Sequence, residues 1–322
     1  MSPGPEAVWA VVTPVFEDGG SFAALCRDLA RIEADVALEI LAVDDGTIDT
    51  PPAIDAVRDA GLAGRIVRLR RNSGHQTAIW VGLTVAASEP RYAGAVVMDS
   101  DGEDRPGDVP RLIATAASGC DASVARRRRR TESLPFKVFY RLYRIFFGLL
   151  TGRRIRFGNF CALRRRALLR LTAMQETRVH LAAALIKSRL PRREIPCDRG
   201  ARYDGRSRMN FYDLTLHGIR AVAVFDDAVL TRMGAVSVGA AISGVLIFLA
   251  GLALKLSGQT SPGWLTLVTG FLVMVFLQTA IFSLVALILN ALGHRSPSDL
   301  AAAAASLVLE TETTGLDDSA AA

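Results

Sequence analysis

Two stretches of this 322-residue chain, Met233–Leu254 and Trp264–Gly293, carry no charged side chain. A helix rises about 1.5 Å per residue, so the first would be about 33 Å long, enough to cross a hydrocarbon core of about 30 Å. The second is longer and would have to tilt or end in the interface. A buried pair of core helices is the alternative, but helices this long and charge-free are unusual in a water-soluble fold. The linker Lys255–Gly263 is short enough only for a hairpin, which puts both flanks on one side. Arg220 and Arg232 precede the pair, His294 and Arg295 follow it, and the hairpin holds only Lys255. This bias predicts that the large N-terminal part and both termini lie in the cytoplasm. The spans account for a hydrophobic fraction of 50%. The tail after Ser296 is Ala-rich and then acidic, and reads as disordered. The start, MSPGPEAVWA, has neither a basic nor an apolar region, so no signal peptide is expected. Four scattered cysteines make no CxxC pair, which fits a reducing compartment.

Upstream of the hairpin, strand and helix patterns alternate. Val8–Phe16, Glu39–Val43, Arg65–Leu69, Ala93–Met98 and Asp121–Ala125 read as strands. Ser21 to about Asp35, Pro52–Ala60, Gln76–Ala87 and Pro106–Ala117 read as helices. Such alternation predicts an α/β fold with a mostly parallel sheet flanked by helices. Ligands of these sheets bind beyond the carboxyl ends of the strands. Those ends carry Pro14 and Asp18, Asp44 and Asp45, Arg71 and Asn72, and Asp99 with Asp101. No GxGxxG or GxxxxGK[ST] occurs, so neither a dinucleotide fold nor a P-loop is supported. At VVMDSDGED, residues 96–104 close an apolar run with four acids, Asp99, Asp101, Glu103 and Asp104. Carboxylates at that spacing form either a solvated turn or a site for a hard cation.

The ordered set VVTPVFED, VDDGTID, RNSGHQTA and MDSDGEDRP resembles family 2 glycosyltransferases of GT-A fold. With the C-terminal hairpin, the likeness is to the polyprenyl-phosphate sugar transferases and covers nearly the whole chain. The resemblance implies a GT-A domain over 1–226, with an interfacial helix near 134–150. A transmembrane hairpin follows over 227–295, with spans near 233–255 and 264–292, and then the tail 296–322. It implies a bacterial inner-membrane protein and a nucleotide-sugar donor, UDP- or GDP-linked. Pro14, Asp18, Asp44, Asp45, Arg71, Asn72 and Asp99 would contact the nucleotide, Asp44 and Asp45 at base and ribose. Either of those two Asp residues could equally be a turn cap. Asp99, Asp101 and Glu103 would hold Mg²⁺ or Mn²⁺ against the diphosphate. The family pattern there is DxDxQ, with Glu103 in the Gln position, and Gly102 stands where a large apolar residue is usual. Gly74 permits close backbone approach, and His75 reads as a structural residue or hydrogen-bond donor.

On the acceptor side, FKVFYRLYRIFFGLL at 136–150 places apolar and aromatic residues at helical spacing. Lys137, Arg141 and Arg144 form a basic stripe beside that face, which suits a membrane interface or a core helix with a solvated edge. Five arginines, Arg126–Arg130, precede it and could gather anionic lipid. The net charge of +6 also suits nucleic acid, but the hairpin argues against that partner. FGNFCALRRR at 157–166 resembles the family's G-D-F-x-L-x-x-R, with Asn159 in place of Asp. An amide cannot take a proton, which a lipid phosphate, already ionised, does not require. RGARYDGRSRMNF at 199–211 resembles the family's R-x-x-R-x-x-G-x-S-K-Y. Arg202, Arg206, Ser207 and Arg208 would then bind donor diphosphate or acceptor phosphate.

The resemblance thus implies an inverting sugar transfer to a membrane polyprenyl phosphate, with Asp99, Asp101, Arg202 and Arg208 as catalytic groups. Self-association is left open. One rival is a family 2 enzyme acting on a polysaccharide or neutral lipid, although the Q-x-x-R-W of processive synthases is missing. The other is a non-catalytic membrane subunit with a decayed nucleotide site.

Overall fold

The computed structural model describes residues 7–127, 134–204, 211–258, 263–293 and 297–314. In chain order the elements are β1 (Val8–Val15), α1 (Gly19–Ala30), β2 (Ala37–Asp44), α2 (Ile54–Asp59), β3 (Ala63–Leu69), α3 (His75–Ser88), β4 (Tyr92–Val97), α4 (Val109–Ala117) and β5 (Ala122–Arg127). There follow α5 (Leu134–Thr151), β6 (Cys161–Arg164), α6 (Arg165–Thr172), α7 (Glu176–Val179), α8 (Leu181–Lys187), β7 (Arg192–Cys197) and α9 (Phe211–Ala223). The last are α10 (Asp226–Leu256), α11 (Trp264–Gly293), α12 (Pro297–Leu307) and β8 (Val308–Thr313).

The strands form one sheet in the order β7-β5-β6-β4-β1-β2-β3-β8. β1 pairs in parallel with β2 and β4, Val11 lying opposite Ile40 on one side and Val96 on the other. β2 pairs with β3 and β5 with β7, also in parallel. The strands nearest β1 are apolar runs because helices cover both faces, so alternate side chains have no watery side to face. Trp9, Val11, Ile40, Phe22, Leu25 and Leu112 are among the residues that fill the core on one face. Strand order reverses at β1, between β2 and β4, which opens a crevice at the carboxyl ends of these strands.

The structure corrects three local expectations. Helix α1 ends at Ala30, not near Asp35; Val36 is buried as the chain turns into β2. The segment 157–166, read only as a motif, contains β6, wedged antiparallel between β4 and β5. The tail expected to be disordered is ordered over 297–314. Helix α12 packs on α3 and α6 with Leu300 and Ala304 buried, and β8 pairs antiparallel with β3. The acidity that suggested a solvated tail is a charge complement. The Nε of Arg68 donates to Glu312 at 2.9 Å and lies 3.4 Å from Glu310.

The chain divides into two compact units. The first comprises 1–137, 155–224 and 295–322, and the second 138–154 and 225–294. Most of α5 therefore groups with the helix pair and not with the sheet as expected. Phe147 of α5 meets Phe225 edge-on with ring centroids 5.9 Å apart. The Nη1 of Arg232 donates to the carbonyls of Gly148 and Leu149, satisfying the open end of α5. α10 and α11 pack on each other, Leu272 facing Gly244 and Leu265 facing Gly251. Their 31 and 30 residues reach about 45 Å each at 1.5 Å per residue, enough to cross a membrane by length and composition. Almost none of the most apolar stretch of either helix is buried within the molecule, unlike core helices of a water-soluble fold.

Candidate functional site

The site lies at the carboxyl ends of β1 to β4. β4 ends at Val97, and the next residues carry the acids. The hydroxyl of Ser100 donates to the carbonyl of Pro14 at 3.3 Å, tying this turn to the end of β1. Asp101 Oδ1 accepts from the Glu103 amide at 2.9 Å, closing the turn, while Oδ2 lies 3.0 Å from Arg202 Nη2. Burial pushes Asp101 above the usual carboxylate range, and Asp99 beside it adds to the shift. Burial and Asp99 likewise hold the carboxyl of Asp104 well up, where its Oδ2 accepts from the Asp99 amide at 3.1 Å. Asp99 Oδ1 is itself buried and has no hydrogen-bond partner. An orphaned carboxylate oxygen beside a second desolvated carboxylate is a setting in which a cation stabilises both.

Glu103, expected as a third ligand, is otherwise engaged. It forms ion pairs with Arg199, with Arg202 at 2.7 Å and with Arg127 at 3.7 Å. Burial pushes its carboxyl up, but hydrogen bonds from Arg199 and Arg202 outweigh that and hold it below the usual range. Among the described residues, no three His, Cys, Asp or Glu side chains converge closely enough to hold a metal ion alone. Asp99 and Asp101 thus fit a divalent cation as a pair, with remaining positions left to a ligand, and Glu103 instead binds the 199–203 loop. Two backbone bonds complete that clasp, Gly200 N–H to the carbonyl of Glu103 and Tyr203 N–H to that of Asp101, both 2.9 Å. Gly102 has φ +87°, and a Cβ there would meet the Tyr203 ring at 2.9 Å. The ring of Tyr203 thus packs where a side chain on residue 102 would go.

The nucleotide-side candidates divide into reachable and committed groups. Arg71 and Asn72 are exposed and Asp18 is half-buried at the start of α1. Pro14 is buried, presenting its carbonyl to Ser100. Asp44 and Asp45 are both 3% exposed. Asp44 accepts from Thr47 N–H at 2.9 Å and from Arg68 Nη1 at 2.8 Å. Asp45 accepts from the Ser73 and Gly74 amides at 2.7 and 2.9 Å, and burial raises its carboxyl. Asp44 thus ties the β2 end to Thr47 and Arg68, and Asp45 ties it to the loop that carries Asn72. Gly46, at φ +73°, makes that junction possible, since a Cβ there would lie 2.6 Å from Asn72 N.

On the acceptor side, Arg202 is placed beside the acids. Arg206, Ser207 and Arg208 lie outside the described residues, as do Arg128–Arg130. Arg141 and Arg144 are exposed on α5 in the second unit, and Lys137 lies in the first turn of the same helix, at the end of a first-unit segment. Asn159 hydrogen-bonds to Gln76 and contacts His75, whose Nε2 lies 3.4 Å from Asp99 Oδ1. Sequence reasoning did not assign Gln76, Arg199, His180 or His217 to the site. The signal available was scarcity: the chain has four histidines, and three of them gather here. The His180 and His217 rings lie 4.3 Å apart, and His217 is kept low by burial and then by His75.

His180 caps α8 by accepting from Ala183 N–H at its Nδ1, and burial, then His217, depress it to about 3. The unfolded chain, with an ordinary imidazole, therefore binds a proton that the folded one refuses between about pH 6.5 and 3. Stability is full above that window and falls as the pH drops through it. Thermal melts of detergent-solubilised protein should show Tm declining over this range, with a shallower decline in His180→Gln. An unchanged slope in that variant would assign the acid sensitivity elsewhere.

The family model described as Glycosyl transferase family 2 matches residues 10–176. Two curated relatives are named undecaprenyl-phosphate 4-deoxy-4-formamido-L-arabinose transferase. That of Pseudomonas aeruginosa (strain LESB58) is 34% identical over 138 residues, 41% of this chain and 39% of its own length. That of Sodalis glossinidius is 29% identical over 160 residues, 48% of this chain and 47% of its own. The alignments thus span less than half the length of these relatives. The crystal structure of Mycobacterium tuberculosis glucosyl-3-phosphoglycerate synthase with Mn²⁺, uridine-diphosphate-glucose and phosphoglyceric acid is similar in fold. It has a TM-score of 0.50 at 16% identity, covering 70% of this chain and 79% of that one.

Proposed function

Since the chain belongs to glycosyl transferase family 2, we propose that it transfers a sugar, with inversion, from a nucleotide-sugar donor to the phosphate of a membrane polyprenyl phosphate. The observation that carries this reading is one chain holding both an acid pair at the β4 end and two helices fit to cross a membrane. The names of the curated relatives, which specify undecaprenyl phosphate, support the acceptor class.

Asp99 and Asp101 would hold Mg²⁺ or Mn²⁺, which when bound supplies positive charge for the leaving diphosphate. Arg202, oriented by Glu103 and Asp101, stands ready to clamp phosphate oxygens. Arg206, Ser207 and Arg208 follow it in the chain and are assigned to the donor diphosphate or the acceptor phosphate. Asn159 has no proton to accept, and an ionised phosphate nucleophile does not require it to. Asn72, Arg71, Asp18 and Pro14 form the nucleotide side, with Asp44 and Asp45 fixing the loop. Positioning and charge stabilisation supply most of the rate.

The proposal extends to placement. β8 pairs with β3 of the first unit, so the chain that leaves this unit into the helix pair also returns to it. Both ends of the hairpin then lie on the sheet's side of the membrane, and the positive flanks make that side cytoplasmic. Lys137, Arg141 and Arg144 of α5 would meet lipid headgroups there.

The test is transfer from labelled UDP- and GDP-sugars to polyprenyl phosphate and, in parallel, to polyprenol. We expect product only with the phosphate. Equal transfer to both would show that phosphate is not the nucleophile, and the mechanism would be abandoned.

A further inference from the structure

Among the described residues, two other than glycine adopt a left-handed backbone. Arg189, at φ +58°, stands just past the end of α8, where helices commonly close in this way. Glu17, at φ +48°, stands before the start of α1, and no such ending explains it. A side chain in that region costs energy, and the surrounding structure has to hold it there. Here the holder is the loop that follows β2. Glu17 Oε1 accepts from the Ile48 amide at 2.8 Å, and Oε2 accepts from the Asp49 and Thr50 amides, both at 3.0 Å. The Glu17 amide donates in return to Thr47 Oγ1 at 3.1 Å, and the Gly19 amide donates to the Thr50 carbonyl at 3.0 Å. Bonds from backbone amides to an ionised carboxylate are the stronger kind. These amides, that of Ile48 foremost, keep the carboxyl below its usual range, so it is ionised at neutral pH.

The clasp has two consequences for the crevice. It fixes the loop after β2 against the end of β1: Thr47, whose hydroxyl takes the Glu17 amide, donates its own amide to Asp44 at 2.9 Å. It also sets where α1 begins. Asp18 stands at the N-cap of that helix, where an aspartate ordinarily accepts a first-turn amide. Its side chain makes no such bond, so its oxygens are not spent on the helix.

Resting on the nucleotide-sugar reading above, we propose that Glu17 is a positioning residue of the nucleotide side. It touches no ligand itself. It holds the 47–50 loop and the start of α1 in the arrangement that offers Asp18 to ribose hydroxyls, beside the corner fixed by Asp44 and Asp45. The cost of ordering that loop is then met on folding and not on binding, which tightens the nucleotide without touching the chemical step. A loop that kept this arrangement only a tenth of the time would bind about tenfold more weakly.

The experiment uses the full-length, detergent-solubilised protein. Calorimetry gives the affinity for UDP and for GDP with Mn²⁺ present, and steady-state kinetics give donor KM, lipid KM and kcat. Two variants separate the carboxylate from the strained backbone. Glu17→Gly removes the clasp and relieves the left-handed strain. Glu17→Gln keeps the side-chain length but sets an NH₂ group against amides that need an acceptor. We expect both to weaken the preferred nucleotide roughly tenfold and to raise donor KM by a similar factor, with kcat and lipid KM within about twofold of wild type. A thermal melt accompanies each variant, because a merely structural role would lower Tm and the active fraction and leave donor KM alone. That pattern would overturn the proposal, as would wild-type affinity in Glu17→Gly. An effect of Gly without one of Gln would trace to backbone freedom and overturn it too. A wild type that bound neither nucleotide would remove the nucleotide-sugar reading and this inference with it.

Discussion

Asp101→Asn is expected to lower turnover roughly 100- to 1,000-fold while leaving the fold intact. The variant is chosen because Asn keeps the side-chain oxygen that accepts from the Glu103 amide, so the turn after β4 still closes. What it removes is the negative charge. In the protein that carboxylate is desolvated, repelled by Asp99 and only partly compensated by Arg202 at 3.0 Å. A cation would relieve both strains, and the amide offers it little. Turnover measured at saturating donor and lipid phosphate, beside a thermal melt, separates chemistry from stability. Retention of more than about a tenth of wild-type turnover would exclude the Asp101 carboxylate as a ligand.

Arg68→Met should have the largest effect on stability. Arg68 joins three parts of the chain: Asp44 at 2.8 Å, the Pro52 carbonyl at 3.2 Å and Glu312 of β8 at 2.9 Å. Its side chain is 18% exposed and that of Asp44 only 4%. Removing one member of a buried pair strands the other, at a cost of roughly 3–5 kcal/mol. For a unit of this size that lowers Tm by roughly 10 °C. Asp44→Asn in the same molecule removes the stranded charge and should restore a large part of the loss. Additive losses in the double variant would show that the pair is not coupled, and the account of Asp44 as a fixed joint would fail.

The sheet and the helix pair were legible in the sequence because each is governed by local pattern. Val8–Val15, apart from Thr13, and Tyr92–Val97 are charge-free, largely apolar runs because both faces are covered, and the charge-free spans need no partner to be recognised. What was not legible depends on partners far along the chain. Glu310 and Glu312 read as solvated acids, since nothing local announces Arg68 some 240 residues away. Glu103 has the right chemistry for a cation, and only the fold shows that arginines claim it. Asp44 and Asp45 were placed at the correct strand end, but the Arg68 side chain and the Ser73 and Gly74 amides that occupy them come from other elements. The departures from the family pattern at Gly102 and Asn159 became meaningful only against Tyr203 and His75.

The position of β8 after both apolar helices has a consequence for how the protein is made. Synthesis runs from the N-terminus, so β3 remains an unpaired edge until Val308–Thr313 has left the ribosome. By then both apolar helices have already emerged. Closure of the sheet against β8 thus waits on residues that follow the helix pair in the chain. A nascent chain delayed in water would expose an open strand edge and two unshielded apolar helices together, the conditions that favour aggregation. Shielding of the apolar pair before β8 closes the edge would remove half of that hazard.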